Sequence, residues 1–594
     1  MYVAITGAGK SRVIQFRKDQ RIPGTKRKVT RVIKTIGNYE KMLAEDPDII
    51  EKLKEEARRL TREEKAENAP ITLSVNNQEL VSPGQAHASY RFGHALLRQC
   101  WQRMGLDLFI RERIDKKNRE ALSEALQGLL YHRLTDPASI LASVRDLTTY
   151  AGMDPVGRDV HYQVLEVLYE EKEVLIDHLC DFFQSHTTRQ GPVAYYDVTT
   201  HSFESVREGE LRMFGFSKSN KPNEVQVVMG LLIDNNGIPI TFELFPGNTM
   251  DQKTLQTAVA RLKEKYKLDK IVIVADRGLN SQDNLEFLLQ EGHDFVFAYT
   301  LKRSTEELKA LALDEEGWTS SEKEGEAGWK EKVVEHALKV KVLLTREERL
   351  ALPARRGRPP QYKTVEIPAK IHLTWSRERA RKDRIDRERV VEKARQLLSS
   401  PGQVSQSLKR GKNQYIAFSV DTQACHLDEG KIASQARFDG YYAIITNDLG
   451  YKTAEVCDLY GGLWKIEESF RVMKTDLEAS PAFVWKDERV HGHFTLCFLA
   501  LCFIRYAQYL LFQDQGLSVS AQTLMESWHR PTVMAIGDYP DVRLIPTMVP
   551  QAYFDLAQSL KMPVLRTCMT IHQFRQRTKL DVNKNLINDN RTKK

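Results

Sequence analysis

Three acidic residues stand in settings suited to binding divalent cations. Asp197 lies in the apolar, strand-like run 192–200, Asp276 ends a second such run, and Glu467 lies in the helix-like segment 460–474. Carboxylates are natural ligands of Mg²⁺, and two Mg²⁺ ions about 4 Å apart can activate an attacking oxygen and stabilise a leaving one. The three residues are therefore candidate metal ligands and candidate catalytic residues for two-metal chemistry on a phosphodiester.

The choice of Glu467 over its neighbour Glu468 rests on helical geometry. Glu467 shares one face of the expected helix with Arg471 and Lys474, at spacings of four and three residues. A metal-binding carboxylate flanked by cations for phosphates fits that face. Glu468 points about 100° away and is expected to be exposed to solvent. A separate apolar face is formed by Ile466, Phe470 and Leu477.

Bulk composition indicates a soluble protein of several domains. The chain has 594 residues, of which 41% are hydrophobic and 28% charged, and this length exceeds what one compact core accommodates. The net charge of +8 is only mildly basic, so any interaction with nucleic acid depends on where the charge lies. The seven cysteines are scattered and include no Cys-x-x-Cys pair, which favours reduced thiols over a zinc site or a disulfide framework.

The apolar runs predict an α/β fold with a ribonuclease H-like catalytic core. In residues 191–300, three strands suited to antiparallel pairing precede a helix, a strand, a helix and a strand. Residues 301–440 are densely charged with strands that look short, and the α/β pattern resumes after them, so we expect an inserted β-rich domain. The expected domains are 1–45, a basic DNA-contacting β-hairpin; 46–90, a helix and linker; 91–190, a helical domain for DNA-end binding; 191–300, the first part of the core; 301–440, the insertion; 441–514, the second part of the core; and 515–594, a helical region with a basic tail.

The N-terminal segment carries the most one-sided charge. Ten Lys or Arg and one acid, Asp19, fall in residues 1–34, where apolar and basic residues alternate. A β-hairpin is expected there, and its cations favour contact with phosphates over a merely solvated edge. Residues 4–11 also match a relaxed phosphate-loop pattern, but strand-like sequence follows where such a loop requires a helix. A β-turn is the preferred interpretation of that match.

Together these features resemble the DDE transposases of bacterial insertion sequences. The resemblance rests on an Asp after a Tyr-Tyr strand, a Val-Ala-Asp-Arg-Gly strand end and a Glu in a helix. More narrowly, Tyr460, Glu467 and Lys474 fit the Tyr-Arg-Glu-Lys spacing of the insertion-sequence-four-like group, whereas Leu463 occupies the Arg position. The resemblance covers about residues 190–510, and further matching words are Gly215–Lys218, Phe245–Asn248, Thr446–Asn447 and Arg489–His493.

The resemblance implies a chemistry, a cofactor and partners. It implies Mg²⁺-dependent cleavage of double-stranded DNA at terminal inverted repeats, with Mn²⁺ as a substitute ion, and then strand transfer into target DNA by a homodimer in a synaptic complex. It also implies that Tyr460 and Lys474 hold the transposon end near the cleavage site, in some relatives through a DNA hairpin. Leu463 removes the Arg contact of the signature, and Lys465 or Arg471 is the candidate replacement.

Several further residues are candidate DNA contacts. Arg356 and Arg358 lie in a Gly-Arg-Pro segment that resembles an AT-hook. Two interpretations of this segment are equally favoured: insertion into a DNA minor groove and a charged loop without a DNA contact. Arg277 directly follows Asp276 at the end of the second apolar run and is another candidate DNA contact. Trp375 could stack on an extruded base, although core packing is the preferred interpretation. The alternating charges of 377–389 favour a salt-bridged, solvated helix face.

Histidines near these motifs favour structural roles. His201, four residues after Asp197, is expected to pack or cap. His491 and His493 are two residues apart, so on a helix they point to different sides and a shared metal is not expected.

Two other functions compete with a transposase. An inactive or domesticated DNA-binding descendant is the first, and an intact acidic triad argues against it. A P-loop ATPase is the second, and it lacks the strand and helix context of such a site. No signal segment is evident at the N-terminus, and the apolar stretch Phe494–Ile504 is too short to span a bilayer. We therefore expect a cytoplasmic, nucleoid-associated bacterial protein with no membrane partner and a buried helix at that stretch.

Overall fold

The computed structural model describes residues 1–21, 28–67, 89–153, 156–187, 192–215, 224–260, 271–320, 328–345, 347–348, 362–398, 414–419, 424–537 and 542–583. The chain divides into two compact units, residues 1–86 and residues 87–594. Each unit is described by itself.

The N-terminal unit is a small antiparallel sheet followed by helices. Its strands pair in the order β1-β2-β3, and alternation buries Ile14 and Phe16 on one face of β2. The phosphate-loop-like residues form a 3₁₀ turn between the antiparallel strands β1 and β2, as the turn interpretation predicted. The expected β2–β3 hairpin is present, with β1 as an additional strand. The elements are β1 Tyr2–Thr6, β2 Val13–Arg21, β3 Lys28–Asn38, α1 Tyr39–Glu45 and α2 Ile49–Glu67.

The larger unit begins with β4 and a series of amphipathic helices. Their apolar faces are buried together, as at Leu97, Leu130 and Leu165, which is what the spacing of apolar residues in this part of the sequence predicts. The elements are β4 Ser89–Arg91, α3 His94–Arg103, α4 Leu106–Arg113, α5 Arg119–Thr135, α6 Ile140–Asp146, α7 Arg158–Glu170 and α8 Lys172–His186.

A mixed sheet forms the centre of this unit. Strands β7-β6-β5-β8-β9 are neighbours in that order. β5 is parallel to β8 and β8 to β9, whereas β6 is antiparallel to β5 and β7 to β6. β6, β8 and β9 are buried along their whole lengths, which explains their continuous apolar runs. The elements are β5 Val193–Ser202, β6 Gln226–Asp234, β7 Pro239–Pro246, α9 Leu255–Ala260, β8 Val272–Ala275, α10 Gln282–Gln290 and β9 Asp294–Ala298.

Residues 301–440 add strands β10, β11 and β12 to the same sheet. The strand β15, which follows them in the chain, connects them to β9, in the order β10-β11-β12-β15-β9. The expectation of short strands is wrong here, because β11 and β12 are each 15 residues long. Many alternate residues of β11 are exposed and charged. The strand therefore lacks the continuous apolar run by which a buried strand is predicted from sequence. The domain boundaries stay predictions. The elements are α11 Glu306–Leu313, β10 Thr319–Ser320, β11 Trp329–Leu343, β12 Tyr362–Ser376, α12 Arg377–Leu398, β13 Ile416–Ser419, β14 Ala424–Leu427, α13 Glu429–Ala436 and β15 Tyr441–Thr446.

The remaining elements cover the sheet and close the unit. β16 and β17 pair with β4 and β18 in the order β18-β17-β16-β4, so residues 515–583 contain strands as well as the expected helices. The basic tail falls mostly outside the described residues. The elements are α14 Thr453–Gly461, α15 Trp464–Arg471, a π-helical turn Val472–Asp476, α16 Asp487–Gln515, α17 Ala521–His529, β16 Thr532–Ile536, β17 Arg543–Met548, α18 Gln551–Ser559, β18 Met569–Thr570 and α19 Ile571–Thr578. Short 3₁₀ helices span Gly9–Ser11, Leu147–Thr149, Asp251–Lys253, Arg277–Leu279 and Leu301–Arg303.

Helix α16 is the central core helix. It is long and apolar enough to cross a membrane by composition, but its most apolar window is 89% buried inside the protein. The expectation of a buried helix at Phe494–Ile504 is therefore confirmed. The helix packs against α7 and α5 on one side and β7 on another. Gly492 marks its close approach to α7, because a β-carbon there would overlap the Leu165 carbonyl group.

Replacing Gly492 with Ala is expected to lower the free energy of unfolding by about 1–3 kcal/mol, because the overlap with backbone forces the two helices apart. Chemical denaturation would measure this. Gly461 ends helix α14 with open space at its β-carbon position, so Gly461→Ala is the matched control and should be neutral or slightly stabilising. Equal effects of the two substitutions would contradict the proposed contact.

Several histidines are buried in the neutral state. Burial lowers the pKa of His94 and His493 to about 3, and that of His132, His372 and His491 to about 4. Ring nitrogens of His94, His372 and His493 contact neutral oxygens, as where that of His94 lies 3.1 Å from the Ala151 carbonyl oxygen. A ring nitrogen of His132 lies 3.8 Å from the Asp146 carboxylate, whose charge opposes the effect of burial. Protonation of these rings would place charges in the core.

We expect the protein to lose stability as the pH falls from 6.5 to 4.5. The pKa of each of these histidines is lowered in the folded state, so the unfolded chain binds more protons in this range and the free energy of unfolding decreases. The slope is up to about 1.4 kcal/mol per pH unit for each histidine. His94→Gln, which keeps a hydrogen-bonding group at Ala151, should make the dependence shallower in denaturation experiments at several pH values. A stability that is flat over this range would contradict the assignment.

Candidate active site

The pairing of β5 with β8 brings two of the three acidic residues together. These strands are parallel, and Tyr196 lies opposite Ala275. The next residues along the two strands are Asp197 and Asp276, which therefore occupy neighbouring positions about 5 Å apart along the sheet. Asp197 is half-buried and Asp276 is exposed. The two residues thus lie side by side at the carboxyl end of β8, where sites in α/β sheets usually lie.

Helix α15 lies along the face of β5 that carries Asp197. Tyr195, Asp197 and Thr199 alternate along the strand and share this face. At one end, the Lys465 ammonium lies 5.8 Å from the centre of the Tyr195 ring, and the helix packs on β5. At the other end, the Lys474 ammonium donates a 2.5 Å hydrogen bond to the Thr199 hydroxyl. Asp197 lies between these two anchor points and so faces the segment that contains Glu467.

Glu467 projects from the flank of α15. Ile466 and Phe470 are buried beneath the helix, as predicted, and Glu467 is exposed. Among the described residues, no three His, Cys, Asp or Glu side chains lie close enough together to hold a metal ion. The structure therefore brings Asp197 beside Asp276, and it places Glu467 on the adjacent helix without completing a three-carboxylate cluster.

The expectation that Glu468 is exposed to solvent is wrong. Its side chain is half-buried and pairs at 3.0 Å with Arg505, a residue of helix α16 whose side chain is only 8% exposed. Arg505 also donates to the Ser469 hydroxyl at 2.8 Å. Burial lowers the pKa of Arg505, and the Glu468 carboxylate opposes that effect. Glu468 therefore neutralises a core cation, because its face of the helix packs against α16.

Tyr460 contacts one of the acidic residues directly. Its hydroxyl donates a 3.2 Å hydrogen bond to the Asp276 carboxylate. Burial raises the pKa of Tyr460 far above its ordinary value, with the neighbouring Tyr442 hydroxyl adding to the effect. Tyr460 is therefore neutral and remains a hydrogen-bond donor at neutral pH.

The cations near the signature have different surroundings. Lys474, in the π-helical turn, is anchored at Thr199. The Lys465 ammonium donates to the Asn235 carbonyl oxygen, and burial lowers its pKa. Arg471 lies 3.4 Å from Asp476 and 3.8 Å from Glu468. Leu463 is buried at the start of α15 and contributes packing only.

The other predicted DNA contacts differ in their placement: Arg277 directly follows Asp276, Trp375 lies elsewhere in the fold, and two lie outside the described residues. Trp375 is half-buried on β12 and its indole nitrogen donates to the Asp439 carbonyl oxygen at 3.1 Å, an arrangement that agrees with packing. Arg277 begins the 3₁₀ turn after Asp276, but its side chain is not among those described. Arg356 and Arg358 lie outside the described residues.

The histidines near the motifs have the structural surroundings that were expected. The ring of His201 is buried against Phe494 and contacts the Ser480 hydroxyl at 2.6 Å. Burial lowers its pKa well below the ordinary value. His493 contacts the Ala479 carbonyl oxygen at 3.0 Å, and His491 packs on the ring of Tyr169.

Sequence reasoning missed three residues of this region. Thr199 could have been predicted from the sequence. It lies two positions after Asp197, and alternate residues of a strand share one face. Tyr442 packs on Tyr460 with ring centres 5.6 Å apart, and Arg379 lies over the ring of Tyr442. No local pattern connects these residues, because their proximity depends on the pairing of β12, β15 and β9.

Comparison with known proteins places the chain in a family. Residues 192–503, just over half of the chain, match the sequence model of the family described as the transposase DDE domain. No curated protein matches the sequence. Among solved structures, the chain is similar to a cryo-EM structure of the piggyBac transposase synaptic complex with hairpin DNA. That similarity covers 74% of this chain and 77% of the other at 9% identity, with a TM-score of 0.35.

The segment that matches the family contains Asp197, Asp276 and Glu467, together with the strands and the helix that position them. The chain belongs to the transposase DDE domain family and is a DDE transposase.

Proposed function

We propose that this transposase cleaves DNA at the ends of a bacterial insertion sequence of the insertion-sequence-four-like group and joins those ends to target DNA. Asp197, Asp276 and Glu467 are its catalytic carboxylates. The observation that carries the proposal is the register of β5 and β8, which sets two aspartates side by side beneath the helix of Glu467.

The strand order supports a ribonuclease H-like core. In β7-β6-β5-β8-β9, the first three strands are antiparallel neighbours, and β5, β8 and β9 run parallel. The elements also follow one another along the chain as the sequence predicts, with three antiparallel strands before a helix, a strand, a helix and a strand. The long strands β11 and β12 would then belong to an insertion that extends the core sheet.

The donor set fits a hard divalent cation such as Mg²⁺. Mg²⁺ is commonly held by one or two carboxylates together with water and phosphate oxygens, and Asp197 and Asp276 supply two carboxylates at neighbouring positions. Bound Mg²⁺ would supply charge neutralisation and polarisation of the phosphodiester, and Mn²⁺ would substitute for it. Glu467 would complete the set from the helix.

The remaining residues of the signature would position the DNA end. Lys474 is held beside Asp197 by Thr199, where its charge favours a phosphate near the carboxylates. Tyr460, held neutral by burial, orients Asp276 through its hydroxyl group. Because Leu463 occupies the Arg position of the signature, the signature has no guanidinium group there. The DNA end would be held without that contact.

The partners are proposed to be the terminal inverted repeats and a target duplex, brought together by a homodimer in the bacterial nucleoid. The basic strands β2 and β3 carry cations such as Arg17 and Arg31 that would contact DNA phosphates. An inactive descendant is disfavoured, because all three carboxylates are present and Asp197 and Asp276 occupy neighbouring positions.

Asp197→Asn, Asp276→Asn and Glu467→Gln should each lower the rate of Mg²⁺-dependent end cleavage by at least about 10³-fold, because each removes charge that the metal ions require. Cleavage of a labelled duplex carrying the element's own end would measure this. Asp283→Asn, an exposed acid on α10, is the matched control and should keep full activity. Full activity in any of the three variants would remove that residue from the site.

Glu467→Gln and Glu468→Gln should have opposite effects. The first should abolish cleavage and leave stability unchanged, because Glu467 is exposed. The second should keep cleavage and lower the free energy of unfolding by about 1–3 kcal/mol, because Arg505 loses its charged partner in the core. Cleavage rates and denaturation of the same preparations would separate the two residues. An inactive, stable Glu468→Gln protein would show that the assignment had been reversed.

A further inference from the structure

A cavity of about 360 Å³ opens directly beside Asp276. It lies between the end of β9 and the start of α12. Its charged wall residues are two carboxylates, Asp276 and Asp383, and two cations, Lys302 and Arg379, and Tyr442 lies beside them. One of the proposed catalytic carboxylates therefore shares a cavity with cations from outside the signature helix.

Arg379 is arranged to bind an anion. Its guanidinium carbon lies 4.1 Å from the centre of the Tyr442 ring, and stacking of this kind occupies the flat face while the N–H edge remains able to donate. Its ion pair with Asp383 is long, with 3.9 Å between the nearest nitrogen and oxygen, and its side chain is 45% exposed. Lys302 is exposed on the same cavity wall.

A chain of contacts connects Arg379 with Asp276. Tyr442 lies under Arg379 and packs against Tyr460, whose hydroxyl donates to Asp276. The insertion helix α12 thus contacts the proposed active site through two aromatic rings.

The signature itself offers no uncommitted guanidinium group to this cavity. Leu463 is buried, Lys465 donates to the Asn235 carbonyl oxygen, and Arg471 is paired with Asp476. A DNA strand that reaches Asp276 brings a phosphate every few ångströms, and each favours a cation. Lys302 and Arg379 are the cations that line the cavity at Asp276.

We propose that Arg379 and Lys302 bind a backbone phosphate of the DNA strand next to the phosphodiester that is cleaved, and so supply the positive charge that Leu463 does not provide. This inference rests on the proposed function. It deepens that function by assigning a DNA contact to the start of the insertion helix and to the turn after β9.

Cleavage by Arg379→Gln should be about 10- to 100-fold slower than by the wild type, since the variant cannot make a charge-assisted hydrogen bond to the phosphate. Lys302→Gln should act in the same direction. Arg381→Gln is the matched control, because Arg381 is exposed on the same helix two positions away and points to another side. Arg379→Lys should recover part of the rate. Equal decreases at Arg379 and Arg381, or no decrease at Arg379 and Lys302, would overturn the proposal.

Neutral methylphosphonates, placed one at a time next to the cleavage site, would locate the contact. At one position the wild-type rate should fall by about 10- to 100-fold, whereas the rate of Arg379→Gln should fall no further. If methylphosphonates at each position lowered the rate of Arg379→Gln by the same factors as the rate of the wild type, this inference would be overturned and the proposed function would stand. Failure of the wild type to cleave the element's end with Mg²⁺ or Mn²⁺ would overturn the proposed function and this inference with it. Thermal unfolding of each variant would show that the compared proteins are folded.

Discussion

The parallel pairing of β5 with β8 is the constraint on which the site depends. Both strands are largely buried, so their register is fixed by apolar residues on the two faces of the sheet. A shift of one residue would turn Asp197 to the opposite face and separate it from Asp276. Two carboxylates at neighbouring positions repel each other, and the packing energy of the surrounding sheet must hold them there. The two aspartates stay at neighbouring positions because the packing of the rest of the sheet fixes the strand register.

The helix that carries Glu467 is positioned by contacts that leave Glu467 itself unconstrained. Ile466 and Phe470 bury one face against the sheet, Glu468 neutralises Arg505 in the core, and Lys465 and Lys474 anchor the two ends. Each of these side chains has a structural partner within the protein. Glu467 is exposed between the anchors, so it can turn toward a ligand at Asp197 without breaking any of them.

The sequence indicates the candidate carboxylates and their elements better than the contacts around them. Asp197 and Asp276 are candidates because one lies within an apolar run and the other ends one, and Glu467 because it shares a helix face with Lys474. Their catalytic roles stay predictions. Local sequence does not reveal that Glu468 is committed to an ion pair, since its partner Arg505 lies 37 residues away. β11 and β12 were underestimated because exposed strands carry charged residues where buried ones carry apolar residues. Contacts such as Tyr460 with Asp276, 184 residues apart, depend on the folded sheet alone.

Residues 301–440 therefore contribute strands to the same sheet that carries Asp197 and Asp276. β12 pairs with β15, β15 pairs with β9, and β9 lies beside the strand that ends at Asp276. Arg379 follows β12 by three residues, so continuous strand pairing connects the start of its helix with the strand that ends before Asp276. In a loosely tethered domain, a cation would have to be ordered when DNA binds, at a cost in conformational entropy. Arg379 lies instead at the start of a helix that follows directly from a strand of this sheet, so the proposed phosphate contact would require less ordering than that.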